Sequence, residues 1–109
     1  MNKSIEKMNL AEYICEKLKS TGEVKAKKMF GTYNICLDQI NLGVVCIMKG
    51  EGKWYLKKTP AGDMFLNKNN IILESGIEGN SYIVKDFSNE EMLCSLAEIT
   101  RDEIIKSKK

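Results

Sequence analysis

The chain has 109 residues, 43% of them hydrophobic and 29% charged, which suits one globular domain whose core needs no metal or disulfide. It contains no histidine, and this excludes Ser-His-Asp and Cys-His nucleophiles, histidine general bases and nearly all catalytic zinc sites. The 17 Lys and Arg exceed the 15 Asp and Glu by two, too small a bias to indicate nucleic acid or a membrane by itself.

The first predicted element is a helix. Asn9 with Glu12 has the spacing of a capping box at its start. An apolar stripe at helical spacing follows: Leu10, Ile14 and Leu18. Gly22 suits a left-handed cap at the end of the helix. The pattern does not decide whether residues 4–7 extend the helix or precede it.

A long strand over residues 27–37 is predicted next, and the rest of the chain is organised around it. Its apolar residues alternate in two blocks, and the alternation breaks at Met29, Phe30 and Gly31. Glycine inside a strand pattern marks a bulge or bend, so we interpret these three residues as a structural motif that kinks a continuous strand. On this interpretation Met29 or Phe30 inserts into the core. The alternative is that the kink presents an aromatic side chain as a binding surface.

Two more strands are predicted after a turn near residues 38–39. Residues 42–48 are the most apolar run and indicate a central strand, which is followed by a hairpin loop at residues 49–52. Residues 53–58 return as the next strand, with alternate residues on opposite faces. One face then carries Trp54 and Leu56, and the other carries Lys53, Tyr55 and Lys57.

The second half of the chain is predicted to add a short helix, two strands and a closing helix. The threonine and proline at residues 59–60 are typical of a helix start. The strands are expected at residues 71–75 and 82–85, and Ser88 with Glu91 forms a capping box for the last helix. The sequence therefore predicts an α+β domain in the order α-β-β-β-α-β-β-α.

We expect one domain over residues 1–109 in the cytoplasm, without a membrane segment, because no signal sequence or long apolar run is present. Four cysteines stand singly among apolar neighbours: Cys15, Cys36, Cys46 and Cys94. Without paired spacing they are expected to be reduced thiols in the core, and no metal or cofactor is expected.

Taken together, these segments resemble the N-terminal domain family of the bacterial competence regulator TfoX, also called Sxy. The resemblance covers about residues 9–105, and its pieces occur in the family's order. They are Lys28 to Gly31 (KMFG), Tyr33, Leu37-Asp38, the apolar strand 42–48, the strand end 56–58, Ala61-Gly62 and Ile99-Thr100. Gln39 departs from the glycine that members often have at the hairpin.

The resemblance implies a two-layer sandwich, with an antiparallel sheet of about five strands and helices on one side. It also implies a non-enzymatic regulatory module that binds a protein partner, such as a transcription activator or the transcription machinery. We expect a copy of this domain without the C-terminal domain of full-length competence regulators. The residues expected to form the partner surface coincide with the recurring positions: Lys28, Phe30, Tyr33, Lys57 and Lys58.

Two alternatives remain open. The first is a small-molecule site between the sheet and the short helix at residues 60–66, although no glycine-rich phosphate loop supports it. The second is weak nucleic-acid binding through basic and aromatic residues on two strands. The residues concerned are Lys25, Lys27, Lys28, Lys53, Lys57 and Lys58, interleaved with Trp54 and Tyr55.

Overall fold

A computed structural model of the chain describes residues 3–48, 50–76 and 79–107. In these residues the α-helices are α1 (Lys3–Leu18), α2 (Pro60–Lys68) and α3 (Glu90–Ser107), and a 3-10 turn at Lys19–Thr21 follows α1. The strands of the described residues are β1 (Val24–Met29), β2 (Thr32–Leu37), β3 (Ile40–Met48), β4 (Glu51–Lys57), β5 (Glu74–Ser75) and β6 (Ser81–Val84). The predicted α+β class is confirmed.

The strands form one antiparallel sheet in the order β1-β2-β3-β4-β6-β5. Alternate residues point to opposite faces of a sheet, and those that face the core lie under the helices. This covered face, which we call the helix side, carries Ile35, Val45, Trp54, Leu56 and Val84, all fully buried. The opposite face, which we call the open face, carries Lys25, Lys27, Val44, Tyr55 and Ile83. The helices therefore lie on one side of the sheet, as predicted.

The predicted kinked strand over residues 27–37 is wrong, and this error accounts for the sixth strand. The chain reverses there, because Met29 pairs with Thr32 across a two-residue turn made by Phe30 and Gly31. The φ angles of these two residues are +52° and +77°, and positive values at both positions define a type I′ hairpin turn. The alternation continues on both sides of such a turn, so the periodic pattern alone does not separate a hairpin from a bent strand.

A β-bulge in β3 brings an additional residue into the core. Ile35 pairs with Gly43 while Cys36 pairs with Asn41, so Leu42 is the extra residue. Both Leu42 and Val45 are buried although they are three positions apart, which strict alternation would not allow. A Cβ at Gly43 would lie 1.9 Å from the Tyr55 carbonyl oxygen, so only glycine fits beside β4 at this point.

Several predicted boundaries shift. Helix α1 begins at Lys3, so residues 4–7 extend it and Asn9 lies inside it rather than at its start. Helix α3 is capped by Asn89, whose Oδ1 accepts a hydrogen bond from the Met92 amide, and not by Ser88. The predicted strand at 71–75 shortens to Glu74–Ser75. Of the predicted loop at 49–52, residues 51 and 52 belong to β4, and Lys49 lies outside the described residues.

Candidate functional site

The predicted partner residues near Gly31 lie at the turn between β1 and β2. We call this turn the hairpin tip, and it consists of Lys28, Met29, Phe30 and Gly31. Phe30 does not insert into the core, since its side chain is fully exposed (101% of the reference area). Met29 is exposed to 44%. The predicted insertion of either side chain into the core is therefore wrong.

The backbone of Phe30 makes this exposure unusual. A left-handed conformation costs a residue with a Cβ about 1–2 kcal/mol, and glycine or asparagine normally occupies such a position. Phe30 adopts φ +52° there while its side chain buries no area that would offset the cost. Folding alone therefore gives no reason for phenylalanine at this turn.

Tyr33 is the cross-strand partner of Lys28, so the structure brings both residues to the base of the hairpin tip. Its ring is half-buried and packs against the edge of the core. Lys28 lies on the helix side and is exposed. Lys28 and Phe30 are thus accessible at the tip, whereas Tyr33 packs against the core next to it.

The other two predicted residues, Lys57 and Lys58, lie at the opposite end of the sheet. The register shows this directly, because Tyr33 aligns with Val45 and Trp54, whereas Lys57 pairs with Ser81 at the far end of β4. The structure therefore separates the five predicted residues into two clusters that do not form one surface.

Lys57 and Lys58 line a groove of about 950 Å³ beside the start of α2, which we call the α2 groove. Its other walls come from the β5–β6 connection and the end of α3. The lining residues are Lys57, Lys58, Thr59, Pro60, Asp63, Gly79, Asn80, Glu103, Ile104, Lys106 and Ser107. The groove is therefore lined by side chains of both charges, and Pro60 and Ile104 are its apolar residues.

Tyr82 is buried next to this groove and contacts two of its lining residues, Lys58 and Asp63. Its hydroxyl donates to Asp63 Oδ1 at 2.6 Å, and the Lys58 ammonium lies 5.9 Å from the centre of its ring. Burial, and then the hydrogen bond to Asp63, raise the pKa of Tyr82 well above its usual range. Tyr82 therefore remains a neutral donor that holds α2 against β6.

The Ala61-Gly62 pair of the resemblance has a packing role here. Thr59 caps α2, because its Oγ1 accepts a hydrogen bond of 2.9 Å from the Gly62 amide. A Cβ at Gly62 would lie 2.9 Å from Tyr82 Oη and 3.0 Å from Thr59 Oγ1. Glycine is therefore needed for the close approach of α2 to the tyrosine.

A polar cluster that the sequence analysis missed links Leu37-Asp38 to α3. Arg101 Nη1 donates to Asp38 Oδ2 at 2.7 Å, and Asp38 Oδ1 accepts a hydrogen bond of 3.0 Å from the Glu23 amide. The Asp38 amide donates in turn to the Glu23 carbonyl at 2.8 Å. We call this set, Glu23, Asp38 and Arg101, the Asp38 clamp. Residues 63 positions apart leave no local sequence signal, so the clamp was not predictable from spacing.

The basic residues of the nucleic-acid alternative are distributed over different surfaces. Lys25, Lys27, Lys53 and Lys57 accompany Tyr55 on the open face. Lys28 and Lys58 do not share this face, because they lie at the hairpin tip and beside Tyr82. Trp54 is fully buried on the helix side, so Tyr55 is the aromatic residue left among the predicted set for base stacking.

The four cysteines are free thiols. Burial raises the pKa of Cys15 to about 11, which keeps its thiol protonated at neutral pH and disfavours nucleophilic chemistry. Within the described ranges, no three His, Cys, Asp or Glu side chains are grouped so as to hold a metal ion.

None of the described helices combines the length and the apolar character needed to cross a membrane.

Comparison of the chain with models of protein families gave no match, and comparison with curated proteins gave none.

Proposed function

We propose that the protein is a non-enzymatic interaction module that binds a protein partner through the hairpin tip. The observation that carries the proposal is the conformation of Phe30, a fully exposed aromatic residue with φ +52°. Residues held in sparsely populated backbone conformations cluster at active sites, ligand clamps and switch regions.

The chemistry of the tip fits a protein partner. Aromatic residues dominate the binding energy of protein interfaces, and neighbouring residues act mainly by excluding water from them. Phe30 supplies the aromatic side chain, Met29 an adaptable apolar neighbour, and Lys28 a cation at the margin. A partner with an apolar pocket and an acidic margin would match this arrangement.

The resemblance to the TfoX N-terminal family supports the same conclusion, because the KMFG segment is one of its recurring pieces. We propose on this basis that the partner belongs to the transcription apparatus and that the protein acts as a co-regulator in the cytoplasm. The recurring residues at the tip then have a binding role, whereas Gly62 and Asp38 have structural ones.

Affinity capture with matched variants tests the role of Phe30. Phe30→Asn keeps a residue suited to a type I′ turn and removes the aromatic ring, and Gln39→Gly is a control at the neighbouring hairpin. We expect Phe30→Asn to lose a partner that the wild type and Gln39→Gly both retain. Equal recovery of that partner by all three proteins would contradict the proposal.

The second cluster is tested separately. Because Lys57 and Lys58 lie at the far end of the sheet, a partner bound at the tip should be unaffected by Lys57→Ala with Lys58→Ala. Loss of the same partner in both this double variant and Phe30→Asn would show that one large partner spans both ends.

A small-molecule site in the α2 groove is the second candidate function, and the size of the groove favours it. Grooves of several hundred Å³ with a few polar groups are typical of ligand sites. The mixed charges of Lys58, Asp63, Glu103 and Lys106 suit a small zwitterion. Amino acids and small dipeptides should then raise the melting temperature of the wild type but not of Lys58→Ala.

A further inference from the structure

The two edges of the sheet differ in length. β5 forms one edge with two residues, whereas β1 forms the other with six. An edge strand presents backbone N–H and C=O groups that are free to pair with another chain, and natural proteins shorten or protect such edges. The long edge is therefore the one at which a further strand would be accommodated.

The side chains along β1 differ between its two faces. On the helix side, a groove of about 650 Å³ lies between β1 and α1, with Cys15, Val24 and Ala26 as its apolar wall. Its rim is charged and carries Glu12, Glu16, Lys19, Glu23 and Lys25. On the open face, Lys25 and Lys27 are exposed. An added strand would place alternate side chains next to these two environments.

We propose that the β1 edge binds an extended peptide segment as a seventh strand of the sheet, with apolar side chains at alternate positions and acidic side chains between them. The apolar side chains enter the groove beside α1, and the acidic ones lie next to Lys25 and Lys27. This inference rests on the proposed function, since it names the chemistry of the protein partner.

The hairpin tip continues directly from this edge. β1 ends at Met29 and leads into Phe30, so a segment paired along the six residues of β1, about 20 Å, reaches the exposed ring at one end. Backbone pairing supplies affinity in this mode and the alternate side chains supply specificity. Phe30 then anchors one end of a segment that β1 aligns.

Edge lysines also have a simpler role, because they discourage pairing between copies of a protein. That role requires only the charges, whereas the groove on the helix side and the exposed phenylalanine at the strand end are not explained by it. The two roles make different predictions. A purely protective edge attracts an acidic peptide by charge alone, so binding to it does not depend on which backbone donors of the peptide remain free.

A synthetic eight-residue peptide of alternating Val and Glu provides the probe, and the same peptide with Lys in place of Glu is its control. Binding is measured by fluorescence anisotropy at about 0.15 M salt. We expect the wild type to bind the Glu peptide at least tenfold more tightly than the Lys peptide. Lys25→Glu with Lys27→Glu should reverse this preference. Lys68→Glu with Lys85→Glu, which changes the net charge equally away from β1, should retain the preference.

Two methylated forms of the Glu peptide test the backbone pairing. One is N-methylated at the odd positions and the other at the even positions, so each removes the donors along one edge of the peptide strand. Pairing with β1 uses one edge only, so one form should lose binding at least tenfold and the other should retain it. Equal effects of the two forms would overturn the proposal.

The outcomes separate this inference from the proposed function. No binding of the Glu peptide by the wild type, or equal binding of the Glu and Lys peptides, would refute the edge site. Capture of a partner that depends on Phe30 would still support the hairpin tip in that case. If Phe30→Asn captures the partner as well as the wild type does, while peptide binding remains specific for the β1 edge, the tip is not the anchor.

Discussion

Two neighbouring hairpin turns of this protein have similar backbone φ angles and different surroundings. Phe30-Gly31 joins β1 to β2, and Asp38-Gln39 joins β2 to β3, and all four residues have positive φ. In the second turn the Asp38 side chain is held by the Glu23 amide and by Arg101. In the first turn the Phe30 side chain is fully exposed.

The two turns differ in whether the fold compensates for their backbone strain. Both turns place a residue with a Cβ in a conformation that favours glycine, at a cost of about 1–2 kcal/mol for each residue. The hydrogen bonds and ion pair of the Asp38 clamp offset that cost within the fold. The first turn has no comparable compensation at the Phe30 side chain, and this is why we propose a binding role for it.

The largest expected effect is that of Gly22→Ala, which would disrupt the clamp. Gly22 has φ +154° and ψ −151°, a region reserved for glycine, and not the left-handed cap expected from the sequence. A Cβ there would lie 2.8 Å from Asp38 Oδ1. We expect the free energy of unfolding to fall by about 2 kcal/mol, with a melting temperature lower by about 10 °C. Urea denaturation measures the first value and calorimetry the second. A change below the error of the fit would show that the clamp is not tightly packed.

Arg101→Ala removes the ion pair with Asp38, together with an exposed one to Asp102 and a hydrogen bond to the Thr21 carbonyl, and leaves the backbone of the turn unchanged. The Arg101 side chain is mostly buried and Asp38 is about half exposed, so the expected loss is about 1 kcal/mol of unfolding free energy. Urea denaturation at low and high salt gives the measurement. Lys68→Ala, at an exposed helix end, is the control and should have little effect. Equal losses for both variants would contradict a special role for the clamp.

Phe30→Asn should stabilise the protein. Asparagine adopts the left-handed conformation more readily than phenylalanine, and no buried contact is lost, so we expect a gain of about 0.5–1 kcal/mol in unfolding free energy. Gln39→Gly should give a similar gain at the other turn. The two variants should then differ in partner capture alone. Destabilisation by Phe30→Asn would show that the ring supports the fold.

The smallest effect concerns acid stability. The hydrogen bond from the Glu23 amide, together with Arg101, lowers the pKa of Asp38 in the folded state. A folded-state pKa below the unfolded value contributes stability at neutral pH, which is lost as the pH falls through the folded-state pKa. The difference in stability between the wild type and Arg101→Ala should therefore be smaller near pH 2 than at pH 7. Chemical denaturation at the two pH values tests this, and an unchanged difference would contradict it.

Much of the fold was predictable from local patterns. The two faces of β4, the short helix after Thr59 and Pro60, and the apolar central strand all depend on residues close in sequence, and all are confirmed. The hairpin at Phe30-Gly31 was missed because the alternation of apolar and polar residues continues through a two-residue turn. This alternation therefore does not show that the chain reverses its direction.

The candidate site was predictable only in part. Phe30 is exposed as the alternative interpretation expected, whereas the insertion of Met29 or Phe30 into the core was wrong. The separation of Lys28 from Lys57 follows from strand order and register, which the local pattern did not give. The same holds for the Asp38 clamp, whose partners come from a turn and from the last helix. The cap at Ser88 was wrong because Asn89, an equivalent capping residue, follows it directly. The start at Asn9 was wrong because the helix already begins at Lys3.

The long sequence separation within the Asp38 clamp has a consequence for the order of folding. The hairpins β1–β2 and β2–β3 form from neighbouring residues, whereas Arg101 reaches Asp38 only after α3 has docked. Contacts between distant residues close large loops and form late. We therefore expect Arg101→Ala to accelerate unfolding and to leave the folding rate nearly unchanged, so that the clamp determines how long the folded state persists rather than how quickly it is reached.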